Sequence, residues 1–90
     1  MKVSGEFILR QLAGENLLVP VGSAAARFNG LITMNELGCF VFQTLQTEHT
    51  RAQLLDAVLA EYDVDEATAD ADLEAFLGQL REIGALIETV

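Results

Sequence analysis

The side chains able to do covalent or acid–base chemistry are few: one histidine, His49, one cysteine, Cys39, and fourteen carboxylates. A zinc site draws on about four ligands with close pairs among them, and no such set of histidines and cysteines is present. A Cys–His nucleophilic pair is formally available. However, Cys39 falls mid-helix among apolar residues with no basic neighbour to lower its pKa, so it reads as a small buried hydrophobe. His49 lies in the turn Thr47-Glu48-His49 and reads as a solvated residue. The acids Asp63, Asp65, Glu66, Asp70, Asp72 and Glu74 lack the D-x-D-x-D-G order and the distal bidentate glutamate of a calcium loop. Helix capping and a solvated face account for them better. The glycines form neither G-x-x-x-x-G-K nor G-x-G-x-x-G, so no phosphate cradle is expected. With no catalytic constellation, no metal site and no cofactor site, the chain reads as a binding module and not as an enzyme.

The elements must then supply a surface. Ninety residues with 51% hydrophobic side chains suffice for one packed domain spanning 1–90. No apolar run approaches the roughly 18 to 20 residues of a membrane span. The segment Met1 to Glu6 has no apolar signal region, and a single cysteine makes no internal disulfide. A cytoplasmic location is the expectation. The formal net charge of -9 repels phosphate backbones and anionic membranes and favours a cationic partner.

Asn29 to Gly38, N-G-L-I-T-M-N-E-L-G, holds a turn, a strand and a helix start in ten residues. Asn29-Gly30 is a turn pair, Leu31 to Met34 suits a short strand, and Asn35 with Glu36 opens a helix. Upstream, Phe7–Ala13 and Asn16–Val21 predict two strands joined through Gly14-Glu15 as a hairpin loop. Leu17, Val19 and Val21 mark one face of the second strand at period two. Gly22 to Arg27 reads as a loop of small residues. A third strand from Phe28 to Thr33 or Met34 completes an antiparallel meander.

The period then changes. Leu37, Val41 and Leu45, with Phe40, predict a helix from Asn35 to about Gln46, in which Gly38 leaves room for another backbone. Thr50 and Gln53 form a capping box for a second helix, with Leu54, Leu55, Val58, Leu59 and Tyr62 on its apolar side. Asp65 caps a third, whose stripe is Ala69, Leu73, Phe76, Leu77, Leu80 and Ile83, with Gly84 just beyond it. Ala85 to Thr89 is a short extended tail. Leu37, Val41, Leu55, Leu59, Leu80 and Ile83 are expected in the core. The fold class is α+β, a three-stranded antiparallel sheet followed by three helices, winged helix-turn-helix-like. Nucleic-acid reading by the third helix is disfavoured, because Asp65 to Gly84 carries six acids and one base.

Several stretches carry a family resemblance: Leu17 to Gly22 (L-L-V-P-V-G), Asn29 to Gly38, Thr50 to Leu55 (T-R-A-Q-L-L), Tyr62 to Leu77 (Y-D-V-D-E-A-T-A-D-A-D-L-E-A-F-L) and Leu80 to Leu86 (L-R-E-I-G-A-L). In that order and spacing they resemble the PqqD-like family. These are the recognition elements, or peptide chaperones, that hold precursor peptides of ribosomally made, post-translationally modified natural products. The pyrroloquinoline quinone branch carries Pro-Glu where this chain has Pro20-Val21, which points to a different product. The resemblance implies that the leader segment of a precursor peptide adds as a strand beside the third strand, in the groove against the third helix. It also implies a modifying-enzyme partner, often a radical S-adenosylmethionine protein. An edge strand has free backbone groups for such β-augmentation. The expected peptide-binding residues are Asn29, Gly30, Leu31, Ile32 and Thr33 on the strand, with Leu73, Phe76, Leu77 and Leu80 on the helix. Asp72 and Asp70 are expected at the rim. The alternative is a winged-helix interaction or regulatory module without a leader peptide.

Overall fold

The computed structural model describes residues 1–27 and 32–88. Its elements, in chain order, are β1 (Lys2–Val3), β2 (Phe7–Leu12), β3 (Glu15–Pro20), α1 (Ser23–Arg27), β4 (Ile32–Met34), α2 (Glu36–Thr44), α3 (Arg51–Glu61), α4 (Glu66–Glu82) and β5 (Leu86–Ile87). The third strand and third helix expected from the sequence are β4 and α4. The expected strand residues Phe28, Asn29, Gly30 and Leu31 lie outside the described residues, as does Thr89 of the tail.

The main sheet is antiparallel, with order β2-β3-β4 and β3 in the middle. Leu12 faces Glu15 across the hairpin, so its two-residue loop is Ala13-Gly14, one position earlier than the sequence indicated. Both residues have positive φ, 53° and 81°, as a type I′ turn requires. Ala13 therefore holds a conformation that its Cβ disfavours.

Partners across the ladder share a face, and Leu18 sits opposite Leu9 and Ile32. Phe7, Leu18 and Met34 join the core, with Leu9 and Ile32 packed against it. The alternation Leu17-Val19-Val21 thus marks the sheet's outer face. Leu17 and Leu18 are adjacent and both apolar, so a period of two fits either phase.

Two expectations about order need correction. The small-residue segment after β3 contains α1, which is anchored by the fully buried Ala24. Its alanines are the best helix formers, which is the local reason that it winds up. A two-stranded sheet pairs β1 with β5, Val3 opposite Leu86. The N-terminal segment is fixed further by Val3 N–H donating to the Leu45 carbonyl at 2.9 Å and Ser4 N–H to that of Ala85 at 2.7 Å. The structure is therefore an α+β fold with a three-stranded antiparallel sheet and a helical layer, in the order β-β-β-α-β-α-α-α-β.

The helices start and stop where local chemistry says. Asn35 Oδ1 accepts from Gly38 N–H at 2.7 Å. Thr50 and Gln53 satisfy each other's backbone N–H reciprocally. Asp65 accepts from the Thr68 hydroxyl and the Thr68 N–H, which holds its carboxyl below its usual pKa. At the end of α4, Gly84 has φ 74° and donates to the Arg81 carbonyl, while Ala85 donates to that of Leu80. That is a Schellman motif. Arg51 ties α3 to α4 through Asp70 at 2.9 Å and Glu74 at 3.2 Å.

The phase of α3 differs from the expected one. Leu54 and Val58 are each 1% exposed, whereas Leu55 and Leu59 are half-buried at the margin. Leu37 and Ile83 are likewise marginal, and of the expected core set only Val41 and Leu80 are buried. Leu54→Ala is accordingly expected to lower unfolding free energy by about 2 to 5 kcal/mol. Leu59→Ala should lower it by less, about 1 kcal/mol, since part of the side chain is already in water. Urea melts of both variants check the ranking.

Candidate functional site

β4 lies at an edge of the main sheet and, among the described residues, pairs only with β3. Its other side opens onto α4 across a cleft of about 510 Å³. Thr33, Met34, Asn35 and Leu37 form one wall, and Asp72, Ala75, Phe76 and Gln79 the other. A second hollow of about 220 Å³ shares Met34, Phe76 and Gln79. It extends toward Leu18, Ile32, Leu80, Glu82 and Ile83. The two make one groove along the length of β4.

The α4 wall follows from helix periodicity. Asp72, Ala75, Phe76, Gln79, Glu82 and Ile83 recur at three- and four-residue spacing, which places them on one side of the helix. Phe76 and Leu80 stand at the boundary, touching both groove and core. Leu73 and Leu77 are turned about 100° further round and are 0% exposed in the core, so they do not line the groove. Of the residues expected at the site, Ile32, Thr33, Asp72, Phe76 and Leu80 line it. Asn29, Gly30 and Leu31 lie outside the described residues. Asp70 is held by Arg51 on the α3 side. The sequence reading passed over Met34, Asn35, Leu37, Ala75, Gln79, Glu82 and Ile83 as groove residues, although the spacing from Asp72 marks those on the helix.

The floor of the groove depends on Gly38. A Cβ there would lie 2.9 Å from Phe76 Cε1 and 3.1 Å from Asn35 Oδ1. The close approach expected at Gly38 is thus made by an aromatic ring and not by a backbone. The bare glycine lets the edge of the Phe76 ring approach α2 closely.

The charges on α4 are sorted by side. Facing α3 and the tail, Asp70 and Glu74 meet Arg51, and Arg81 reaches Glu74 at 3.3 Å and Glu88 at 2.9 Å. Facing the groove, Asp72 and Glu82 have no ion-pair partner among the described residues, and no Lys, Arg or His lines the walls.

The reactive residues lie apart from this cleft. Cys39 is partly exposed where the sequence implied full burial, because its side of α2 lies at the margin of the core. Burial, and then the Glu36 carboxylate, raise its pKa, so little thiolate forms at neutral pH. Slow labelling by a thiol reagent at pH 7, accelerating as pH rises past the usual thiol range, is the expected result. His49 is half-buried and not fully solvated: its N–H donates to the Met1 carbonyl at 2.9 Å, and its ring Nδ1 sits 2.9 Å from the Thr47 carbonyl. Among the described residues no group of three or more His, Cys, Asp or Glu could hold a metal ion. None of their helices is long and apolar enough to cross a membrane.

No curated protein matches this chain in sequence. Among solved structures, TbiB1 in complex with the TbiA(beta) leader peptide is similar in fold, with a TM-score of 0.75 and 23% identity over 100% of this chain and 99% of that one. Lasso peptide synthetase B1 complexed with the leader peptide gives a TM-score of 0.72 and 21% identity, covering 97% of this chain and 96% of that one. The profile of the family described as coenzyme PQQ synthesis protein D (PqqD) matches residues 15–86. That span takes in β3 and β4, both walls of the groove and the closing Schellman turn, and the chain belongs to the PqqD family.

Proposed function

We propose that this protein binds the leader region of a ribosomally synthesised precursor peptide and presents it to a modifying enzyme. The peptide adds as a strand to the free edge of β4, and its alternate side chains enter the groove against α4. The observation that carries the reading is the groove itself, an edge strand facing a helix wall across about 510 Å³. Family membership supports it, as do the leader peptides in the two structures of similar fold. The site residues on this reading are Ile32 and Thr33 with Met34 on the strand, and Asp72, Phe76, Gln79 and Leu80 on α4. Asn29, Gly30 and Leu31, which lie outside the described residues, are peptide-binding residues on the same reading.

On the same reading residues 1–90 work as one recognition domain, with the β2–β3 hairpin and α2 to α4 in a winged helix-turn-helix-like arrangement. It acts as a non-catalytic carrier, and a radical S-adenosylmethionine protein is a suitable enzyme partner. Strand pairing uses backbone groups that every residue has, so it supplies affinity with little selectivity, and the groove supplies the rest. The test is a calorimetric titration of the purified protein with leader peptides encoded beside its gene. Saturable one-to-one binding is expected; absence of binding by every such peptide would overturn the reading.

A further inference from the structure

We infer that the groove selects an extended segment with a basic residue at each end of a five-residue core and an apolar residue at its centre, basic–x–apolar–x–basic. The inference rests on the strand-addition reading above and says which peptides that site prefers.

Two carboxylates face the groove. Asp72 and Glu82 are ten residues apart on α4, which is about 15 Å along a helix. An extended strand rises about 3.3 Å per residue and points every second side chain to the same face. The even spacing that best matches 15 Å is therefore four residues, about 13 Å, within reach of flexible lysine or arginine side chains. The side chain midway between them, two residues from each, meets the stretch formed by Phe76 and Gln79 on the helix wall and Met34 on the strand, where the two hollows join. Phe76 and Met34 make that stretch apolar. The remaining side chains of the peptide point to the sheet's outer face and are free to vary.

The charge pattern is specific to this side of the helix. The neighbouring carboxylates Asp70 and Glu74 are already held by arginines, while no cation of the described chain faces Asp72 or Glu82. An acidic peptide entering the groove would meet two unpaired like charges beside a low-dielectric wall, which disfavours it; a basic one removes both.

The test is selection from a phage library of random 12-residue peptides on the immobilised chain. Synthetic copies of the enriched peptides are then titrated into wild-type, Asp72→Asn, Glu82→Gln, doubly substituted and Asp70→Asn protein. Enriched peptides should carry Lys or Arg four residues apart with an apolar residue midway. Their dissociation constants should rise with salt, about threefold for either single groove variant and about tenfold for the double, and stay unchanged for Asp70→Asn. Peptides that perturb the Ile32, Thr33 and Met34 amides but show no such basic pattern overturn this inference and leave strand addition standing. Failure to enrich any peptide, or enrichment of peptides that perturb other residues, overturns both.

Discussion

Leu77→Asp is expected to leave no cooperatively folded protein. Leu77 is completely enclosed by the core that α4 makes with the sheet and the other helices. A carboxylate there has no cation within the core, so it must either lose its hydration unpaired or take up a proton. Either route costs several kcal/mol, and the leucine's own packing is lost as well. A domain of this size has only about 5 to 15 kcal/mol of stability in total. The sequence counts Leu77 among groove residues, where aspartate would weaken ligand binding and spare the fold; its position on α4 reverses that expectation. Circular dichroism of Leu77→Asp beside Gln79→Asp checks it. The first should lack a thermal transition and the second, on the open wall, should melt close to wild type. A cooperative melt for Leu77→Asp would mean that α4 is rotated from the orientation described here.

Gly38→Ala is expected to do the opposite, sparing the fold and damaging the site. Gly38 lies within α2, where alanine is the better helix former by about 1 kcal/mol. Its new methyl would nevertheless lie 2.9 Å from the Phe76 ring edge and 3.1 Å from the Asn35 capping oxygen. The ring has one open side, the groove, and swings that way. Overpacking of this kind costs about 1 to 3 kcal/mol, partly offset by the gain in helix propensity, so the melting temperature should fall by a few degrees. The displaced ring occupies space that a ligand side chain needs. Affinity for a leader peptide should drop about tenfold, or about 1.4 kcal/mol. Calorimetric titration of the variant against wild type measures this. Undiminished affinity in a folded Gly38→Ala protein would place the ligand away from Phe76.

What the sequence made legible was mostly local. The Asn35 and Asp65 caps, the Thr50–Gln53 box and the Gly84 stop each involve residues within about one helical turn, so a linear reading finds them. The edge position of β4 followed from three short strands in meander order. The errors came where two apolar residues adjoin. Leu17-Leu18, Leu54-Leu55 and Val58-Leu59 fit two phases equally well, and only packing against distant elements chooses between them. The β1–β5 pair was beyond local reading, since each strand has two residues and its partner lies at the other end of the chain. On α4 the expected stripe mixed groove and core, because Phe76 and Leu80 serve both while Leu73 and Leu77 serve only the core. Glu82 and Gln79 escaped notice for a related reason. Polar residues on an acidic helix look like solvated surface until β4 is known to lie beside them.

Peptide pairing with the free edge of β4 has a direct readout in site-resolved amide hydrogen exchange with and without a bound leader peptide. Backbone pairing protects outward-facing N–H groups of the receiving strand and requires no change at the opposite edge. New protection is expected within Ile32–Met34 and none along Phe7–Leu12. That second edge strand borders a smaller hollow of about 270 Å³ against Phe42, Gln43 and Gln46, and so has its own space for a ligand. Protection that appears on Phe7–Leu12, with β4 exchanging as in the free protein, would place the peptide on the opposite edge of the sheet and rule out pairing with β4.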